Sequence, residues 1–213
     1  MIPSAGHSKG LIVVGVTGAS GAVYAQRLVR FLLEHDFEVL LTISAAGRIL
    51  IKEELAPAPG DDPWGSVQRH RLRMFHEKDF FAPFCSGSFR FAGMVIVPAS
   101  MGTIGAIAAG AGANNIHRGA DVALKERIPL ILVPRETPFS TIHLENLLTI
   151  ARAGGLVLPP SPAFYQRPQT MDDLVDFVVS RILDALGITN DLFSRWQGSP
   201  GETRKPTVDD TLS

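Results

Sequence analysis

Short apolar runs alternate with amphipathic stretches along most of this chain. Leu11 to Val16, Val39 to Ile43, Met94 to Val97 and Leu130 to Val133 are apolar almost throughout. Such runs are too short for helices and suit strands buried on both faces. Leu72–Phe75 and Leu156–Leu158 predict two shorter strands. Residues 22–34, 45–55, 104–110, 121–127, 141–153 and 172–186 predict helices. In the fifth of these, Ile142, Leu144, Leu147, Leu148 and Ile150 supply an apolar face; in the sixth, Leu174, Phe177, Val178, Ile182 and Leu183 do. The helix over 104–110, Ile-Gly-Ala-Ile-Ala-Ala-Gly, has almost no side-chain volume and is expected to pack very closely against something, a subunit neighbour being one candidate. Strands alternating with helices predict the α/β class, with a single doubly wound parallel sheet covered on both sides as a three-layer sandwich. No composition break marks a second domain. One domain is expected over residues 10–197, between a loose segment at 1–9 and a flexible tail at 198–213 rich in polar residues, Pro and Gly. Residues 56–66 and 81–93 read as loops.

The bulk numbers narrow the function classes. A chain of 213 residues can build one full core, and 46% apolar with 19% charged residues is a globular composition. A net charge of −1 offers no basic field for nucleic acid. No apolar run approaches the ~20 residues of a membrane span, and the first ten residues lack the apolar core of a signal peptide. Cys85 is the single cysteine, which fits a reducing compartment. A cytoplasmic protein is the expectation. The six histidines form no H-x-x-x-H or H-x-H pair, so no metal site is expected.

The candidate chemistry sits at predicted strand ends, where open parallel sheets bind their ligands. After the first strand, Gly15, Gly18 and Gly21 frame Thr17-Gly18-Ala19-Ser20-Gly21. Glycines there let backbone N–H groups approach a phosphate. The spacing is G-x-x-G-x-x-G, not the dinucleotide fingerprint, and the second strand ends at Ser44 instead of an acid. A serine there favours a phosphate or a flavin edge over an adenosine ribose; a tight turn with no ligand is the alternative. Ser100-Met101-Gly102-Thr103 repeats the pattern after the fourth strand, where an ordinary helix cap is the alternative. Ser86-Gly87-Ser88 is a third loop of this type. The strand 130–133 runs into Pro134, then Arg135 and Glu136, a cation for a phosphate beside a carboxylate for a proton; a surface ion pair is the alternative. Arg118, Lys125, Arg135 and Arg181, with Tyr165 as a phenolic donor, could clamp a phosphate if the fold brings them together. Ser20 lacks the G-x-S-x-G frame of a hydrolase, and no Walker A motif is present.

Taken together, these segments resemble the UbiX flavin prenyltransferases. The resemblance is carried in order by Thr17–Gly21, Ser86–Ser88, Pro98–Thr103, Ala120–Arg127, Val133–Pro138 and Pro162–Tyr165; the Asp-Val-x-Leu-Lys-Glu and Val-Pro-Arg-Glu-Thr-Pro blocks are its most specific parts. It implies a flavodoxin-like or Rossmann-like fold, a homododecamer built from trimers, and a metal-independent enzyme. It further implies transfer of the dimethylallyl group of dimethylallyl monophosphate to reduced FMN, with bonds at flavin N5 and C6. The product, prenylated FMN, would serve a UbiD-type decarboxylase, with ubiquinone biosynthesis as an associated pathway. By the same resemblance, Gly18, Ala19, Ser20, Ser44, Ser100, Met101, Gly102, Thr103 and Arg135 would hold FMN. Arg118, Lys125, Tyr165 and Arg181 would hold the donor phosphate, Arg118 across a subunit contact. Glu136 would move the proton at N5 or assist the departing phosphate, with Ser20 as a relay. Glu54, with Glu53 as the competing register, would act at ring closure, and Trp196 would cover the prenyl group. Ala99 stands where the family often has Cys, which argues against thiol chemistry. Gly119 replaces a common Ala, a difference expected to affect packing only. The alternatives are an FMN-dependent decarboxylase of the cysteine-decarboxylase group, for which a Pro-x-Met-Asn loop is expected and absent, and a non-catalytic FMN-binding subunit of a decarboxylase.

Overall fold

A computed structural model describes residues 9–55, 62–65, 69–165 and 167–193. Its elements run β1 (Leu11–Val16), α1 (Ala22–Glu34), β2 (Glu38–Ile43), α2 (Ala45–Leu55), β3 (Leu72–His76), β4 (Gly93–Ala99), α3 (Met101–Ala108), α4 (Asn115–Lys125), β5 (Leu130–Pro134), α5 (Thr141–Arg152), β6 (Leu156–Val157) and α6 (Met171–Ala185). All strand pairings are parallel, in the order β3-β2-β1-β4-β5-β6. This is the doubly wound flavodoxin-like sandwich with the strand order of a Rossmann sheet, and its direction of winding reverses between β1 and β4.

Strand alternation sorts the core into two layers. Val14, Val16, Leu41, Val95, Val97, Ile131 and Val133 face α1 and α6, meeting Leu28, Val29, Leu32, Val178 and Ile182. Val13, Leu40, Met94, Ile96, Leu130 and Leu132 face the opposite layer, where Ile104, Ile116, Ala120 and Ala123 of α3 and α4 pack. Gly119 sits in this second layer: a Cβ there would stand 3.0 Å from Phe84 Cδ2 and 3.1 Å from Met94 Sδ. No helix among the described residues is long and apolar enough to cross a membrane.

Two helices start earlier than their hydrophobic patterns suggest, and in both cases a cap is the reason. The α3 helix begins at Met101, not Ile104, because Ser100 caps it by accepting from the Thr103 N–H at 3.3 Å. The α4 helix begins at Asn115, not Asp121, because the Asn114 side chain accepts from the His117 N–H at 2.9 Å. The close partner of the small α3 residues is α5 of the same chain, with Asn146 Nδ2 only 3.2 Å from where a Cβ on Gly105 would stand. The α5 pattern itself is corrected. Only Ile150 is fully buried and Leu147 packs at the core margin, whereas Ile142 is 67% exposed and Leu144 and Leu148 are exposed too. One helix lying over a sheet margin buries a narrow stripe, so the rest of its apolar face looks outward.

Candidate active site

The loops after β1 and β4 diverge at the reversal point, above the carboxyl ends of the strands, which is where doubly wound sheets hold their ligands. Thr17 holds the two loops together. Its buried hydroxyl donates to the Pro98 carbonyl at 2.8 Å and accepts from the Ser100 N–H at 2.7 Å. A buried N–H left without such a partner costs about 1–3 kcal/mol, so this hydroxyl sets the spacing between the Gly18–Gly21 and Ser100–Thr103 segments. Gly18 is needed for approach: a Cβ there would stand 2.5 Å from Ala46 Cβ, at the start of α2 beside Ser44. Gly21 has φ 114, a left-handed conformation that favours glycine, and turns the chain into α1. Ser44 is spent partly on its own helix, its Oγ accepting from the Gly47 N–H at 3.0 Å. Met101 and Ala19 are buried, and Met101 packs in the apolar layer with Ile104 and Ile107.

Glu54 reaches back from the end of α2 and closes the start of α1. Its Oε2 accepts from the N–H groups of Gly21 and Ala22, each at 2.8 Å. Partial burial would push this carboxyl up, but the two N–H groups, the Ser20 hydroxyl and the Arg135 guanidinium outweigh that and hold it below its ordinary value of 4.5. The amino end of α1, where the glycine pattern suggests a phosphate, therefore already carries a carboxylate. Arg135 crosses from the end of β5, its Nε donating to the Ser20 carbonyl at 3.2 Å and its N–H to the Ala99 carbonyl at 3.3 Å. Glu136 follows, half-buried, with Oε1 accepting from the Thr137 N–H at 3.1 Å. Ser20, Glu54, Arg135 and the adjoining Glu136 thus come together, and it is Glu54, not Glu53, that touches the first loop.

A pH dependence follows from the Glu54 contacts. The unfolded carboxyl binds its proton near its ordinary value and the folded one only at lower pH, so the stabilisation is present above that ordinary value and is lost as pH falls through the folded one. Thermal melts between about pH 6 and about pH 3 are expected to fall more steeply for the wild type than for Glu54→Gln. Parallel slopes would show that the contact does not stabilise the fold.

Of the phosphate-clamp candidates, Arg135 belongs to this group, whereas Arg118, Lys125, Arg181 and Tyr165 do not join it within one chain. The α4 helix starts at the carboxyl edge of the sheet, where Asn115 accepts from Thr42 Oγ1 at 2.7 Å and donates to the His76 carbonyl at 2.8 Å. It then runs for 11 residues, about 16 Å, so Lys125 lies toward the amino edge. There it pairs with Glu126, while Arg118 pairs with Asp121 and donates Nε to the Cys85 carbonyl at 3.1 Å. Arg181 lies on α6, across the sheet from α4. It pairs with Asp184 at 2.8 Å and lines a cavity of about 540 Å³ with Leu156–Pro159 and Phe177. Tyr165 is exposed and packs edge-on to Phe193, which meets Phe177 in turn. Trp196, residues 1–8, the tail from 194 and most of loop 56–66 lie outside the described residues.

Pattern reading quoted Thr17 only as part of the first loop, with no role, and overlooked Asn115 and Glu77. Glu77 is nearly buried and accepts from the Ala45 N–H at 3.0 Å and from Arg48 at 3.3 Å, holding the start of α2 beside Ser44. Each is a polar residue that acts through a partner 29 or more positions away, which no local pattern reveals.

The loops that meet at the reversal point carry glycines, hydroxyl groups and Arg135, a donor set that suits a flavin mononucleotide: N–H and O–H groups for phosphate and ring carbonyls, and a cation beside them. The family model described as Flavoprotein matches residues 3–183. The flavin prenyltransferase UbiX of Methanocaldococcus jannaschii is 48% identical over 185 residues, covering 87% of this chain and 97% of that protein. A solved structure of AnUbiX (PadA1) in complex with FMN and dimethylallyl pyrophosphate superposes with a TM-score of 0.81 at 41% identity, covering 88% of this chain and 97% of the other. A dodecameric FMN-dependent UbiX-like decarboxylase from Escherichia coli O157:H7 gives 0.80 at 40% identity, covering 88% and 100%. Fold, site and family model define a flavoprotein. Within that class, the chain belongs to the UbiX flavin prenyltransferases.

Proposed function

We propose that this protein joins the dimethylallyl group of dimethylallyl monophosphate to reduced FMN, at N5 and C6, and so makes prenylated FMN for a UbiD-type decarboxylase. The observation that carries this reading is the meeting of Ser20, Glu54 and Arg135 at the reversal point, with Glu136 next to Arg135 in the chain, in a protein so similar to flavin prenyltransferases. FMN is held by Gly18–Ser20, Ser44, the Ser100–Thr103 segment and Arg135. The allylic C–O bond breaks with its electron pair on the phosphate, and cations with a phenol stabilise that developing charge. Lys125, Arg118, Arg181 and Tyr165 are the groups for that task. Their distance from the reversal point within one chain supports sites completed by neighbouring copies. Exposed apolar side chains support such an assembly: Ile142, Leu144 and Leu148 on α5, and Phe81 at 97% exposure. A trimer-based dodecamer in the cytoplasm is the arrangement we infer.

The atom balance assigns the carboxylates. Adding C5H8 to the flavin removes one hydrogen from N5 and one from C6, and the allylic double bond takes up one proton. Glu136 accepts the N5 proton with Ser20 as relay, and Glu54 serves at the ring closure. Anaerobic incubation of the protein with reduced FMN and dimethylallyl monophosphate, beside a parallel run with the pyrophosphate, is expected to give a flavin heavier by one C5H8 unit from the monophosphate. Unchanged flavin mass from folded, FMN-loaded protein overturns the reading.

A further inference from the structure

The end of α4 holds a contact that helical geometry does not favour. Consecutive helical side chains point about 100° apart and do not face each other, yet Lys125 Nζ donates to Glu126 Oε1 at 2.6 Å. The two tips can converge because Glu126 is the capping residue, at φ −89 and ψ 2, where the helix ends. They also need a notch. A Cβ on Gly87 would stand 2.5 Å from Lys125 Nζ and 2.6 Å from Glu126 Oε1, so the paired tips occupy the space that the missing side chain leaves. Ser86 and Ser88 flank the notch with their hydroxyls 2.9 Å apart. Arg118, two turns earlier on the same helix, is tied to the adjoining Cys85 carbonyl. Hydroxyls, a guanidinium and an ammonium around a notch are groups that take a phosphate. Among them stands a carboxylate. The Lys125 ammonium holds it below the usual carboxylate range, with Arg90 adding to that field, so it is ionised at neutral pH.

We propose that Glu126 is a positioning residue that competes with phosphate for Lys125. In the free protein it holds the ammonium over Gly87; an entering phosphate displaces it. The proposal rests on the reading above that Lys125 takes the donor's phosphate. When the allylic C–O bond breaks, its electron pair leaves with the phosphate, and the Glu126 carboxylate returns to Lys125 as inorganic phosphate departs. No proton or electron passes through Glu126. The carboxylate weakens donor binding and in return keeps the released phosphate from occupying the site.

Inorganic phosphate is the probe, as an inhibitor of prenyl transfer by the full-length, FMN-loaded protein. Glu126→Gln is expected to lower the phosphate inhibition constant and the KM for dimethylallyl monophosphate by about threefold to fivefold, the upper end of what an exposed ion pair contributes. kcat should fall as phosphate release slows, and FMN affinity should stay within twofold. Glu126→Asp keeps the charge but draws it back by one methylene; a smaller shift in the same direction supports the proposal and guards against a folding failure of the glutamine variant. A phosphate inhibition constant unchanged or raised in the folded variants overturns it. Absence of prenyl transfer by the wild type overturns instead the reading of the site, which separates the two failures.

Discussion

Glu136→Gln is expected to slow prenyl transfer by about 10²–10⁴-fold, the range that a positioned general base supplies, with FMN affinity within twofold of the wild type. The glutamine keeps the shape and one carbonyl-type acceptor. The Thr137 N–H that now donates to Glu136 Oε1 at 3.1 Å retains a partner, so the turn after β5 should survive. What is lost is the ability to hold a proton at the flavin edge. Arg135 stays in place because its contacts are to the Ser20 and Ala99 carbonyls and do not involve Glu136. The test is single-turnover flavin alkylation followed by mass spectrometry, alongside flavin fluorescence titration for binding. Wild-type rates in the variant would remove Glu136 from proton transfer.

Lys125→Ala is expected to weaken use of dimethylallyl monophosphate by about 10- to 100-fold, as loss of a charge-assisted hydrogen bond of roughly 1.5–3 kcal/mol implies. FMN binding should hardly change, because Lys125 lies at the far end of α4, about 16 Å by the helical rise from that helix's start at the carboxyl edge of the sheet. Stability should hardly change either. The Lys125 side chain is 45% exposed and its described ion pair is with Glu126, an exposed arrangement that solvent screens. Donor saturation curves measured with FMN titrations decide the matter: equal loss of donor and FMN binding would make Lys125 a structural residue.

The two predictions draw on different kinds of information. Arg135-Glu136 could be found from the chain alone, because four apolar residues running into a proline announce a buried strand and its end. The glycines of the first loop, Ser44 and Ser100–Thr103 were legible by the same logic at three other strand ends. The starts of α3 and α4 were less so: Ser100 and Asn114 are caps whose side chains bond three residues ahead, and their small or polar first turns carry no apolar period. Exposure of three of the five apolar-face residues of α5, Ile142, Leu144 and Leu148, was not legible either. A hydrophobic stripe states that a residue prefers burial, not whether this chain or another copy provides it.

The chain by itself determines the strand–helix alternation, and with it the parallel sheet and the loops at its strand ends, since these follow from local periodicity and turn chemistry; the strand order, and so the reversal point, does not. Tertiary structure alone decides which distant groups meet. It brings Glu54, not Glu53, onto the N–H groups of Gly21 and Ala22, joins the loops after β1 and β4 through Thr17, and sets Lys125 and Arg181 on opposite faces of the sheet. The physical reason is range. Periodicity and capping act over three or four residues, whereas these contacts span 32 to 83 positions and exist only once the sheet has brought its strand ends side by side.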